Sequence, residues 1–178
     1  TPDGEYKLAQ LVRANQALYD YTKAFKVPCV SGKDSMKNDS TRGGKKISIP
    51  PTVLFSVIGK IDDAAKAVTL DAKRAGDLVY VIGETKAELG GGEYFAMLGH
   101  TGNAVPSIDP DNANALYQAV WRITQAELAQ SLSAPGPGGL AVALAKCAMA
   151  GRLGLDVDVT KIPARRDLAV QECLFSES

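Results

Sequence analysis

The longest apolar runs in this chain are strand-length, and that limits what it can build. The run "VLFSVIG" lies inside "ISIPPTVLFSVIGKI" (residues 47–61), and "LVYVI" lies inside "RAGDLVYVIGET" (residues 74–85). Both are too short to cross a bilayer, so no membrane span is expected. Between and around them run segments with a helical repeat. From Leu8 the apolar positions Leu11, Val12, Leu18, Tyr21 and Phe25 recur every three or four residues. "DPDNANALYQAVWRITQAELAQ" (residues 109–130) does the same through Leu116, Val120, Ile123 and Leu128. Helices mixed with short apolar strands predict an α/β (α+β) protein.

Capping and breaker residues set the expected boundaries. Asp3 is the expected N-cap of the first helix and Pro28 its end. A short strand over Val27–Val30 leads to Gly32, and "NDSTRGGKK" (residues 38–46) reads as a polar loop. "ISIPPTVLFSVIGKI" reads as a strong strand, with Pro50 and Pro51 confined to its beginning. A second unit is expected from near Asp62. It holds a turn at Ala75–Asp77, a buried-type strand over Leu78–Ile82, and a short helix after "ELGGG". The long helix follows, capped by Asp109 or Asp111. Beyond the break "SAPGPGG", the Ala-rich "LAVALAKCAMAG" should be a helix ending at Gly151. "LGLDVDVT" alternates as a half-buried strand, and "ECLFSES" begins another strand-like run. An apolar run meeting the last residue leads us to expect a piece of a longer chain.

Composition removes several function classes. The 178 residues suffice for one ordinary domain or two small ones. Twenty basic residues balance twenty acidic ones, which gives no electrostatic reason to expect nucleic acid or an anionic membrane as partner. "TPDGEYK" is neither basic nor apolar and is no signal peptide. Cys29, Cys147 and Cys173 are odd in number and widely spaced, which predicts reduced thiols and a cytoplasmic protein. His100 is the single histidine, which weighs against a zinc site and against a Ser/His/Asp triad. It is expected exposed in a loop.

One stretch has the residue types of a phosphate site. In "VPCVSGKDSMKND" (residues 27–39) a short β-favouring run ends in Ser31 and Gly32, followed by Lys33, Asp34 and Ser35. A Walker A loop needs G-x-x-x-x-G-K-[ST], but Val27 stands where the first glycine belongs and Asp34 follows the lysine. The S-G-G-x-D-S loop of PP-loop ATP pyrophosphatases matches with one glycine missing. A polar turn after a strand explains the five residues "SGKDS" equally simply, and on their own they favour it. "ELGGGEYF" has two readings as well: glycines that admit a phosphate to a helix start, or a close-packed turn.

Taken together, "VPCVSGKDSMKND", "ISIPPTVLFSVIGKIDD", "GDLVYVIGETKAELGGGEYF", "GGLAVALAKCAMAG" and "LFSES" follow the order and approximate spacing of one family. The chain resembles the second half of the phosphoribosylformylglycinamidine synthases, within the wider aminoimidazole ribonucleotide synthetase-like superfamily. That superfamily includes selenophosphate synthetase and the hydrogenase maturation protein HypE. The resemblance covers nearly the whole chain. It implies that residues 1–62 are the end of a barrel-forming A domain. Residues 63–178 would be a B domain, incomplete at its end. A fragment of that kind would expose strand edges and self-associate.

The resemblance implies an ATP-dependent C–N ligase of de novo purine biosynthesis. ATP would activate the amide oxygen of formylglycinamide ribonucleotide through an iminophosphate. Ammonia would come from a glutaminase domain or subunit, and the rest of the parent chain would be a further partner. The implied cofactors are ATP or ADP and Mg2+. By motif position, the implied contacts to nucleotide or substrate phosphate are Gly32, Lys33 and Ser35, with Asp34 as a metal ligand. Lys33 stands where shorter members carry a metal-binding asparagine. An ammonium cannot ligate a metal, though it can neutralise phosphate.

The chain departs from the family at "SAPGPGG", where "HDxSDGG" is usual. Ala134, Gly136 and Pro137 replace oxygen-bearing residues, and Lys146 replaces a glutamate. Two roles therefore stay open: a contributor to the catalytic site, or a non-catalytic module that supports a site built elsewhere. The isolated piece is expected to be inactive.

Overall fold

The computed structural model describes residues 2–35 and 39–178. The chain divides into two compact units, residues 1–60 and 61–178.

The first unit is built on α1, Pro2–Phe25. Its end is set by backbone geometry rather than by Pro28. Lys26 adopts a left-handed conformation at φ 55°, Lys26 N–H donates to Lys23 O at 3.2 Å, and Val27 N–H donates to Thr22 O at 3.0 Å. That pair of bonds is the Schellman motif, which satisfies carbonyls the helix end would otherwise leave bare. The capping role expected of Asp3 concerns a side chain outside those described.

The polar loop over residues 38–46 is a hairpin instead, although Asn38 lies outside the described residues. Strand β1 (Ser40–Arg42) pairs antiparallel with β2 (Lys45–Ile47) in the register Ser40↔Ile47, Thr41↔Lys46 and Arg42↔Lys45. Gly43 and Gly44 form its two-residue turn, both with positive φ (55° and 75°), as a primed turn requires. The expected strands over Val27–Val30 and residues 47–61 make no ladder among the described residues beyond Ile47 itself. Leu54 is 90% exposed and Ile58 94%. A strand needs hydrogen bonds from a neighbour, and apolar side chains of this kind stay unburied without one.

The second unit carries the helices α2 (Glu93–Met97), α3 (Pro110–Gln125), α4 (Gly139–Gly151) and α5 (Val170–Phe175), with 3-10 turns at Ala64–Lys66 and Val159–Lys161. Asp109 caps α3, its Oδ1 accepting from Asp111 N–H at 3.0 Å, while Pro110 occupies the first helical position. Leu116, Val120 and Ile123 are half-buried, but Leu128 lies beyond the helix end and is exposed. The turn at residues 74–77 forms, with Asp77 N–H on Arg74 O at 3.4 Å. Leu78–Ile82 makes no ladder and is exposed except for the half-buried Val81, against the buried strand expected. "LGLDVDVT" forms no strand either: Leu153 and Leu155 are half-buried, and its end turns into the 3-10 segment. "ECLFSES" is the end of α5 followed by three residues without regular structure, not a strand from its start.

The buried residues of this unit gather around the start of α4. Leu140 and Ala143 are buried there, with Gly90, Gly92, Gly138, Gly139 and Ser176 beside them. Helix α4 packs on α5, and α5 on the Val159–Lys161 turn. Gly151 ends α4 as expected, but the left-handed residue is Arg152, at φ 54°.

Candidate functional site

The sequence-predicted phosphate residues lie in an exposed, extended segment of the first unit. Gly32, Lys33, Asp34 and Ser35 are all exposed. The Lys33 ammonium donates to the Ser35 hydroxyl, so the chain brings these two together two residues apart. Among the described residues nothing lies within 4 Å of where a Cβ on Gly32 would be, which leaves the backbone there accessible. A cation, a hydroxyl and an accessible backbone are the components of a phosphate contact. Magnesium fits less well. Among the described residues no group of three or more His, Cys, Asp or Glu side chains is placed to hold a metal ion, at Asp34 or elsewhere.

The second unit resolves the two readings of "ELGGGEYF" in favour of close packing. Gly90 N–H donates to Ala104 O and Gly91 N–H to Thr101 O, each at 2.7 Å. A Cβ on Gly90 would lie 2.7 Å from Ala104 O, so no larger residue fits. The amide that opens α2 is also engaged: Glu93 N–H donates to Glu177 Oε1 at 2.8 Å. The same oxygen accepts from Gly138 N–H, at the start of α4, at 2.9 Å.

The neighbours of Glu177 are pinned by side-chain bonds to one backbone segment. Ser176, 3% exposed, donates through Oγ to Lys86 O at 2.6 Å and accepts from Glu88 N–H at 3.2 Å. Ser178 Oγ accepts from Lys86 N–H at 3.2 Å. Glu88 in turn accepts from the Ser107 hydroxyl at 2.7 Å, and Lys86 Nζ donates to Ser107 O at 2.9 Å. Phe175 stacks on Tyr94 with centroids 4.8 Å apart.

Sequence reasoning singled out neither Ser176 nor Glu177 as site residues. Their partners lie 39 to 90 residues away, and no local pattern encodes such pairs. His100 is exposed in a loop as expected, with its ring edge-on to Phe95. The three cysteines are free. No helix among the described residues is long and apolar enough to cross a membrane.

A separate shallow cleft of about 200 Å³ is lined by Lys66, Thr69, Lys73, Thr124, Glu127 and Gln130, among others. Its cations are engaged already: Lys66 Nζ donates to Gln125 O at the end of α3, and Lys73 Nζ lies 2.6 Å from Asp71.

Similarity to known proteins covers most of the second unit by family and both units by relatives. Residues 74–178 match the family described as AIR synthase related protein, C-terminal domain. The chain is 35% identical over 179 residues to a protein of Alkaliphilus metalliredigens named phosphoribosylformylglycinamidine synthase subunit PurL, covering 100% of this chain and 23% of that one. A protein of the same name from Methanocaldococcus jannaschii is 34% identical over 180 residues, covering 99% of this chain and 24% of the relative. One from Thermococcus sibiricus is 36% identical over 163 residues. The chain thus spans about a quarter of the length of these relatives. No solved structure gives a significant match. With the family matching the larger unit and the relatives spanning both, the chain belongs to the AIR synthase related proteins and has their AIR synthase-like fold.

Proposed function

We propose that this chain is part of an ATP-dependent phosphoribosylformylglycinamidine synthase, a C–N ligase that amidates formylglycinamide ribonucleotide in purine biosynthesis. The observation that carries the reading is 35% identity along 100% of the chain to a relative of that name. On this reading residues 1–62 are the closing part of the barrel-forming A domain and residues 63–178 belong to the B domain. The exposed apolar residues Leu54 and Ile58 then face strands supplied by the rest of the parent chain.

Gly32, Lys33 and Ser35 hold a phosphate of the nucleotide or of the ribonucleotide. ATP supplies the phosphoryl group that activates the amide oxygen. The Lys33 ammonium neutralises phosphate charge, the Ser35 hydroxyl donates to a phosphate oxygen, and the Gly32 backbone allows close approach. Positioning and charge neutralisation of this kind account for most of the catalysis in phosphoryl transfer. A glutaminase domain or subunit delivers ammonia. Magnesium belongs to the parent enzyme, with Asp34 its candidate ligand here; among the described residues no cluster of three His, Cys, Asp or Glu side chains completes a site around it.

A second reading has a specific observation in its favour. Ala134, Gly136 and Pro137 carry no side-chain oxygen, and the nearby Gly138 amide is already bonded to Glu177. The second unit then acts as a structural or auxiliary nucleotide-binding module, supporting a site built elsewhere in the same enzyme.

The test is turnover by the intact protein with ATP, Mg2+, formylglycinamide ribonucleotide and ammonia, with the nucleotide product identified. ADP and phosphate formed only with the ribonucleotide present support the synthase. AMP and pyrophosphate would replace it with a PP-loop pyrophosphatase.

A further inference from the structure

We infer that Glu177 is the positioning residue that holds the Gly90–Gly92 loop and the Pro137–Gly139 turn in one arrangement. Backbone bonds hold each segment locally, Gly90 and Gly91 to Ala104 and Thr101, and Gly139 to Gly136, but none of these joins the two, and α2 and α4 both start without a side-chain cap of their own. A single oxygen, Glu177 Oε1, accepts from one amide at each: Glu93 N–H, directly after the loop, at 2.8 Å, and Gly138 N–H, within the turn, at 2.9 Å. An ionised acceptor makes both bonds charge-assisted, roughly twice as strong as neutral ones.

Steric fit points the same way. A Cβ on Gly92 would come within 3.0 Å of that carboxylate oxygen, and one on Gly139 within 2.6 Å of Ser176 O. Both glycine segments therefore close tightly around residues 176–177. The carboxylate is also delivered by a pinned backbone: Ser176 is bonded to Lys86 O and Glu88 N–H, and Phe175 is stacked on Tyr94. Little conformational freedom remains for Glu177 to lose in making its bonds. The consequence is a coupling: when Glu177 lets go, both amides are freed together, although 45 residues separate Glu93 from Gly138. This holds whichever functional reading applies, since it concerns only contacts within the second unit.

The experiment is amide hydrogen exchange in the intact protein, resolved at Glu93 and Gly138, for the wild type, Glu177→Ala and Glu177→Gln. In Glu177→Ala, protection at both amides should fall together by about 10-fold or more while α3 keeps its protection. Glu177→Gln keeps an acceptor oxygen but no charge, so its losses should be smaller and equally paired. Sodium acetate, but not sodium chloride at the same ionic strength, should restore part of the protection in Glu177→Ala. Loss at one amide alone, loss at neither, or equal restoration by chloride overturns the inference. Should Glu177→Ala also lose protection in α3, the isosteric Glu177→Gln is judged by the same paired criterion.

Discussion

A Cβ built on Gly151 lies 2.2 Å from the carbonyl oxygen of Ala72, closer than any van der Waals contact allows. The backbones meet here because Ala72 N–H donates to Cys147 O, one turn back along α4, at 3.1 Å. Gly151 is thus needed for close approach, while the left-handed turn that ends the helix falls on Arg152. The two positions give opposite predictions. Gly151→Ala should lower stability by about 1–3 kcal/mol, as overpacking does. Arg152→Gly should raise it by about 1 kcal/mol, because a non-glycine residue is strained at positive φ. Urea unfolding midpoints of the intact protein check both, and equal signs would contradict this assignment.

Ser176→Ala removes one hydroxyl that both donates and accepts. It leaves Lys86 O and Glu88 N–H without that partner in a nearly closed place. The expected cost is about 1–3 kcal/mol, the penalty for stranding buried polar groups. Ser178→Ala, whose hydroxyl only accepts from an exposed amide, should cost less. The comparison is made by urea denaturation of the two variants side by side.

The Asp71 carboxyl is held well below its ordinary value of 3.8, at about 2, first by the hydrogen bond from the Lys73 ammonium and then by that from the Thr69 hydroxyl. A depressed value in the folded state means the carboxylate contributes stability above pH 3.8, its unfolded value. That contribution is lost as pH falls through about 2. A carbon-detected NMR titration should give a midpoint near 2 for Asp71, and Lys73→Met should move it upward.

Lys33 is exposed, so Lys33→Ala should leave stability within about 0.5 kcal/mol. If it contacts phosphate, kcat/KM of the intact enzyme should fall roughly 10- to 100-fold, the worth of one hydrogen bond to a charged group. Lys33→Arg should recover part of that loss. A variant with unchanged kinetics would remove Lys33 from the site.

Residues 1–178 expressed alone should turn over neither ATP nor formylglycinamide ribonucleotide. The chain has a single histidine and, among its described residues, no carboxylate cluster for a metal. An assay of the isolated chain for ADP release checks this, and measurable turnover dependent on the ribonucleotide would contradict it.

The helices α1 to α4 were legible from residue order because a helix closes its hydrogen bonds within its own segment, whereas α5 sits where a strand was expected. The repeat through Leu11, Val12, Leu18, Tyr21 and Phe25 places α1, and Asp109–Pro110 marks the start of α3. The Gly43–Gly44 turn is equally local: the two-residue glycine pair is itself a hairpin signal. The strand expectations at residues 47–61 and 78–82 rested on apolar pattern alone. Pattern says which side chains want burial, but only a neighbouring backbone can complete a ladder. The same limit hid Glu177 and Ser176. A carboxylate or hydroxyl finds its backbone partners by proximity, and proximity across 39 to 90 residues exists only once the chain has folded. Local hydrogen bonding made the helices readable in advance. Which glycine packs against which backbone, and where a carboxylate ends up, was settled by the tertiary structure.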